Sequence, residues 1–165
     1  MVVLKNILVA TDFSEPSAVA LAYGRDLARS YNARLHVLHV VEDVTVRYGP
    51  EMGFAMPDVQ VNLETAARRT LTALITDDDR KTIDVVPVVR TGIAVAGGII
   101  DYARVEANAI DLIIVGTHGR GIVTHLLMGS VAERVVRTAP CPVLTVRSRE
   151  RDFIAPDALV ASKKA

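Results

Sequence analysis

The chain has a single cysteine, Cys141, which excludes an intrachain disulfide and any multi-cysteine zinc site. Flanked by Pro140 and Pro142 at the head of an apolar run, it reads as a small core residue rather than a nucleophile. Tryptophan is absent and aromatics make up 4% of the sequence, so there is little to stack on exposed bases. Neither sign of charge is in excess. Nineteen basic and nineteen acidic side chains cancel, which leaves no net positive field to draw the protein to nucleic acid or an anionic membrane. No apolar run approaches the roughly 18 residues of a membrane span. The apolar part of the N-terminus is too short, and lacks the leading positive charge, for a secretory signal. The expectation is a soluble, cytoplasmic protein with neither nucleic acid nor membrane as partner.

What the chain does have is hydrophobicity: half of its 165 residues are apolar, enough for one domain with a sizeable core. Runs rich in branched residues at Ile7 to Ala10, Leu35 to Val41, Val85 to Val89, Leu112 to Val115 and Val143 to Val146 predict five buried strands. Between them, a period near 3.6 predicts helices that bury Ala20, Gly24, Leu27 and Tyr31, then Val59, Leu63, Ala66, Thr70 and Leu74, then Val95, Ile99, Tyr102 and Ala103. Ser14, followed by Glu15 and Pro16, is expected to open the first helix by capping a free amide. Strands alternating with helices, the strands apolar throughout, predict an α/β fold: a single doubly wound domain with a parallel sheet covered on both faces. His36 and His39 lie at odd spacing on the second strand and should point to opposite faces, neither as a metal ligand. The connection from Glu42 to Pro57 is either a flap over the crevice or a surface excursion. The domain is expected to span residues 1–147, followed by a charged, alanine-rich tail over 148–165 that frays or forms a short appended helix.

In such folds the ligand lies beyond the carboxyl ends of the strands. Thr11-Asp12-Phe13-Ser14, Val41-Glu42-Asp43, Arg90-Thr91-Gly92 and the stretch GTHGRGIVTHLLMGS all fall there. The last places Gly116, Gly119, Gly129 and Ser130 between a strand and a helix. Amides exposed in a glycine turn, the positive end of the following helix and the Ser130 hydroxyl all favour an anion, and phosphate is the natural one. A P-loop is excluded because no Gly-Lys pair occurs, and the dinucleotide fingerprint fails because Gly119-Arg-Gly121-Ile-Val-Thr124 ends in Thr. Asp12 can accept hydrogen bonds from ribose hydroxyls; its other reading is a helix-entry residue that favours the adjacent dipole. His118, Arg120 and His125 flank the glycine loop, either as phosphate contacts or as loop residues facing solvent.

Taken together, KNILVATDFSEPS, the strand from Leu35 to Val41, IDLIIVGTHGRG, MGSVAERVV and APCPVLTVR resemble the universal stress protein family, in register from about Lys5 to Arg147. The glycine and serine spacing resembles that of its ATP-binding branch. The resemblance implies a five-stranded parallel sheet in the order 3-2-1-4-5 flanked by helices, of the adenine nucleotide alpha hydrolase-like kind. It implies ATP across the carboxyl ends; no His/Asp/Glu cluster has zincin or EF-hand spacing, so a divalent ion is expected to arrive as Mg²⁺ held mainly by nucleotide phosphates and water. By position, Asp12 would hold the ribose, with Thr11 beside it among the nucleotide-binding residues, and Val41 or its neighbour Val40 would meet the adenine. Gly116, Gly119, Gly129 and Ser130 would hold the phosphates, with Arg120 beside them. The resemblance also implies a homodimer in which the last strand pairs antiparallel with that of a second copy, and further protein partners not named by the sequence. Phosphoryl transfer needs positioned cations and an oriented nucleophile, and the chain offers no P-loop lysine and no obvious acidic metal pair. The reading is therefore a nucleotide-responsive binding protein in stress response, with slow or absent hydrolysis. Its rivals are a weak ATPase or adenylate-transferring enzyme using Asp12, His118 or Arg120, and a nucleotide-free interaction module.

Overall fold

A computed structural model describes residues 2–46, 56–117 and 128–147. The middle of the Glu42 to Pro57 connection, the loop residues His118, Gly119, Arg120 and His125, and the tail from residue 148 lie outside the described residues.

Five strands, β1 (Asn6–Ala10), β2 (Arg34–Glu42), β3 (Val85–Gly92), β4 (Leu112–Gly116) and β5 (Val143–Val146), form one parallel sheet in the order β3-β2-β1-β4-β5. Every expected run is a strand, and β3 continues through Arg90 and Thr91 to Gly92. The two edge strands are not buried as expected: β3 has no fully buried residue and β5 has only Val146, because each is paired on one side alone. Branched residues fill these strands because helices cover both faces: α1 (Glu15–Tyr31), α2 (Met56–Leu74), α3 (Asp77–Thr82), α4 (Val95–Arg104) and α5 (Ser130–Thr138). Ile7, Val9, Leu35, Val37 and Ile114 pack with Leu21 and Ala28 of α1 and Leu71 of α2. Leu8, Leu38, Val40, Ile113 and Val115 pack with Ile99 and Tyr102 of α4 and Val135 of α5. Alternation along each strand thus sorts one sequence run into two cores.

The first helix buries Ser17, Ala20, Leu21, Gly24 and Ala28, as its spacing predicts, but Tyr31 at its end is 44% exposed. Ser14 stands at its N-cap without a side-chain cap bond, and its hydroxyl donates to Asp12 instead. The stripe expected for α2 needs a larger correction. Val59 and Leu63 are 43% and 42% exposed, Ala66 and Thr70 are exposed, and the buried face is Gln60, Ala67 and Leu71, one residue further round. A backbone amide explains the rotation. The Val44 N–H, just after β2, donates to Gln60 Oε1 at 3.1 Å, and Gln60 Nε2 donates to Glu64 at 3.1 Å. The Thr91 hydroxyl of β3 donates to the same Glu64 oxygen at 2.6 Å. Satisfying buried polar groups outranks burying one more valine.

Helix α3 has no apolar periodicity and is held by a capping box. The Thr76 hydroxyl accepts from the Asp79 N–H (3.1 Å), and Asp79 Oδ2 accepts from the Thr76 N–H (3.0 Å). Asp79 is 2% exposed and receives Arg25 of α1 through Nε at 2.9 Å and Nη2 at 2.7 Å. Burial alone would push the Asp79 carboxyl up, but the Arg25 fork and Thr76 outweigh it and hold the group below its usual 3.8. The unfolded chain therefore takes up this proton before the fold does, so the stabilisation is complete above about pH 4 and fades as pH falls through the depressed value. Asp79→Asn, which keeps an acceptor but loses the charge, is expected to cost about 1.5–3 kcal/mol at pH 7. Urea unfolding of both proteins at pH 7, 5 and 3 checks this: the gap should be equal at the first two and shrink at the third.

Candidate nucleotide site

After β1 the chain crosses to α1 on one face of the sheet, and after β4 it crosses to α5 on the other. β1 and β4 are neighbours, so a crevice opens between their carboxyl ends at the point where the connections diverge.

One wall is the turn after β1. The Thr11 N–H extends the ladder to Leu38 O at 2.9 Å, and its side chain is buried. Its hydroxyl accepts from the Phe13 N–H at 3.1 Å and lies 3.0 Å from Ser17 Oγ. Since Ser17 donates its one hydrogen to Ser14 O at 2.8 Å, the Thr11 hydroxyl must donate to Ser17. That side chain is thus committed within the turn. Asp12 Oδ1 accepts both the Ser14 N–H, at 3.1 Å, and the Ser14 hydroxyl, which anchors one oxygen of the carboxylate.

The other wall is the end of β4. A Cβ at Gly116 would fall 3.0 Å from both the carbonyl carbon and oxygen of Pro16, tighter than ordinary contact, so the first turn of α1 packs closely on this strand end. Beyond it, the Thr117 N–H reaches Val146 O at 2.8 Å, and Thr117 O accepts the Gly129 N–H at 2.6 Å. The chain therefore leaves β4 and returns to the same spot to begin α5. Gly129 is the N-cap of α5 with φ −69° and ψ 155°, ordinary extended backbone, and it has no side chain with which to cap the first-turn amides. Ser130, the first residue of α5, is exposed beside them.

Val40 and Val41, at the end of β2, are 6% and 7% exposed. Val40 points to the α4 face, where a Cβ on Gly98 would come within 2.8 Å of its Cγ1. Their burial leaves main chain as what this strand end offers a ligand.

The two strand histidines separate as their spacing predicts. His36 is buried on the α4 face with Nδ1 2.8 Å from the Tyr102 hydroxyl. Burial, reinforced by Arg34, keeps its pKa below the usual 6.5. His39 stacks on Phe13, ring centroids 4.3 Å apart, and meets Thr11 O through Nδ1 at 2.8 Å. This pair at the crevice went unnoticed in the sequence. Cys141 is half-buried, and burial pushes its thiol up and away from thiolate chemistry. The structure thus brings Thr11 and Asp12 to one side of the crevice and Gly116, Gly129 and Ser130 to the other. Among the described residues no three of His, Cys, Asp and Glu are placed to hold a metal ion, and no helix is long and apolar enough to cross a membrane.

The universal stress protein family model matches residues 4–147. Universal stress protein A homolog 1 of Coxiella burnetii is 36% identical over 153 residues, covering 88% of this chain and 98% of the relative. Among solved structures, universal stress protein UspA from Lactobacillus plantarum shares 25% identity with a TM-score of 0.68, covering 89% of this chain and all of that one (100%). A universal stress protein in complex with cAMP (21% identity, TM-score 0.58, 90% and 100% covered) has the same fold. So has one from Archaeoglobus fulgidus in complex with dAMP (17%, TM-score 0.56, 88% and 99% covered). With a sheet in the order β3-β2-β1-β4-β5 and a family match over nearly its whole described length, the chain belongs to the universal stress protein family.

Proposed function

We propose that this protein binds ATP across the carboxyl ends of β1 and β4 and acts as a nucleotide-responsive regulatory protein in stress response, with hydrolysis slow or absent. The observation that carries the reading is the 2.6 Å bond from the Gly129 N–H to Thr117 O. It sets the start of α5, its amides free of a side-chain cap, at the mouth of a crevice whose other wall ends in Asp12. Amides and dipole there favour phosphate, with Gly116, Gly119, Ser130 and Arg120 completing that side. Asp12 accepts ribose hydroxyls, and the main chain at Val40 and Val41 meets adenine. Two structural neighbours hold cAMP and dAMP, which supports an adenine base. Mg²⁺ in this reading arrives on the phosphates, the ligands being mainly phosphate oxygens and water. The reading includes a cytoplasmic homodimer joined through β5, an edge strand of the sheet.

The test begins with protein purified without added nucleotide, denatured, and its released small molecules separated by chromatography; titration with Mg²⁺ and ATP follows. The expected result is an adenine nucleotide released or bound, with turnover below about 1 s⁻¹, the low end of ordinary enzymes. Faster turnover replaces the regulatory reading with an ATPase. Absence of nucleotide in both experiments removes the site and leaves an interaction module.

A further inference from the structure

Phe13 has φ of 64°, in the left-handed region that a bulky L-residue occupies only at a steric cost. Asn32 and Ala109, the other described non-glycine residues there, terminate helices, where left-handed backbone is the ordinary stop. Phe13 instead precedes α1, so its conformation must be held by contacts. The Phe13 ring stacks on His39 at 4.3 Å between centroids and 27° between planes, a favourable aromatic arrangement that offsets the strain. The Phe13 N–H is taken by the Thr11 hydroxyl at 3.1 Å. His39 is itself fixed, with Nδ1 2.8 Å from Thr11 O. A carbonyl oxygen only accepts, so Nδ1 carries the proton. One β2 side chain therefore grips both flanks of the turn, the Thr11 main chain on one side and the Phe13 ring on the other. Asp12 lies between them.

We propose that Phe13 and His39 are positioning residues for the Asp12 subsite: the stacked pair holds the turn in its left-handed form and so fixes where the Asp12 carboxylate stands. The inference rests on the assignment of Asp12 to ribose in the proposed function. With residue 13 left-handed, the N–H and hydroxyl of Ser14 reach back to Asp12 Oδ1. Relaxation of residue 13 to negative φ would part these groups, and the order that the two Ser14 bonds give the Asp12 carboxylate would have to be supplied on binding. An acceptor held before the ligand arrives avoids that entropy loss, which is how a strained turn at a crevice serves recognition.

The experiment compares ATP with 2′,3′-dideoxy-ATP, which lacks both ribose hydroxyls, by equilibrium dialysis on the wild type, Phe13→Gly and His39→Phe. Glycine takes positive φ freely, so Phe13→Gly removes the ring without adding strain. His39→Phe keeps a ring to stack on but loses the donor, and it carries the test if Phe13→Gly fails to fold. Hydroxyl bonds to a carboxylate predict that the wild type prefers ATP by about tenfold or more. Each variant should lose at least about threefold of that preference, with inorganic tripolyphosphate bound as tightly as before. A merely structural role would weaken all three ligands together and leave the preference unchanged, and that result overturns the inference while the ATP site stands. A wild type that binds ATP and fails to distinguish the two nucleotides overturns the ribose assignment, and the inference with it.

Discussion

Gly24→Val is expected to destabilise the fold by about 3 kcal/mol or more, a large part of the stability of an ordinary domain. At position 24 α1 lies close against the sheet. A Cβ there would sit 2.4 Å from Val9 Cγ2, 3.3 Å from Leu35 Cδ1 and 3.8 Å from Ile114 Cδ1. Those three side chains belong to the adjacent strands β2, β1 and β4 and are at most 1% exposed, so none has an empty direction in which to turn. The helix cannot rise to make room without opening the interface that buries Leu21 and Ala28. Two effects oppose each other in the smaller substitution. Alanine is better than glycine in a helix interior by about 1 kcal/mol, whereas overpacking a filled core costs about 1–3 kcal/mol. At 2.4 Å the contact wins, so Gly24→Ala should also destabilise, by less than valine does. Urea unfolding of the three proteins gives the ranking, and a Gly24→Ala protein more stable than wild type would show that α1 has room to shift.

The sheet was legible because buried parallel strands are continuous branched runs, a property each segment carries by itself. Where a segment's fate depended on a distant group, the pattern misled. In α2 the spacing of Val59, Leu63, Ala66 and Thr70 is as good a stripe as that of Gln60, Ala67 and Leu71, and of the expected set Leu74 does pack against the core. What turns the helix is a backbone N–H at Val44 that needs Gln60, and apolar periodicity has no access to that. Helix α3 was missed because DDDRKT has no apolar face; the one signal is Thr76 three residues before Asp79, a capping box with aspartate in the usual place of glutamate or glutamine. The site divides in the same way. Asp12, Gly116, Gly129 and Ser130 were singled out by residue type and spacing, and the structure brings them to the carboxyl ends of β1 and β4. Gly116 then proved to have a packing reason too, its contact with Pro16, which no spacing announces. Phe13 and His39 had no signature, since a left-handed phenylalanine becomes meaningful only when the ring it stacks on is known.

Gly129→Val is expected to weaken ATP binding by at least about 100-fold while leaving the fold in place, a loss of about 2.8 kcal/mol in binding free energy. The backbone permits the change: φ −69° and ψ 155° are extended values that branched residues adopt readily. The N–H that bonds Thr117 O at 2.6 Å remains, so α5 stays tied to β4. Valine is a poorer N-cap than glycine, and the stability cost should be no more than about 1 kcal/mol. What changes is access. The branched side chain would stand beside the first-turn amides of α5, where phosphate oxygens must approach to hydrogen-bond distance, about 2.7–3.2 Å. Gly129→Ala, with one methyl group, should weaken binding by less. Calorimetric titration of the three proteins with Mg²⁺ and ATP, alongside their thermal unfolding, separates the two effects. A Gly129→Val protein that is folded and binds ATP with undiminished affinity would place the phosphates away from the start of α5. The glycine there would then answer only to the close return of the chain onto Thr117.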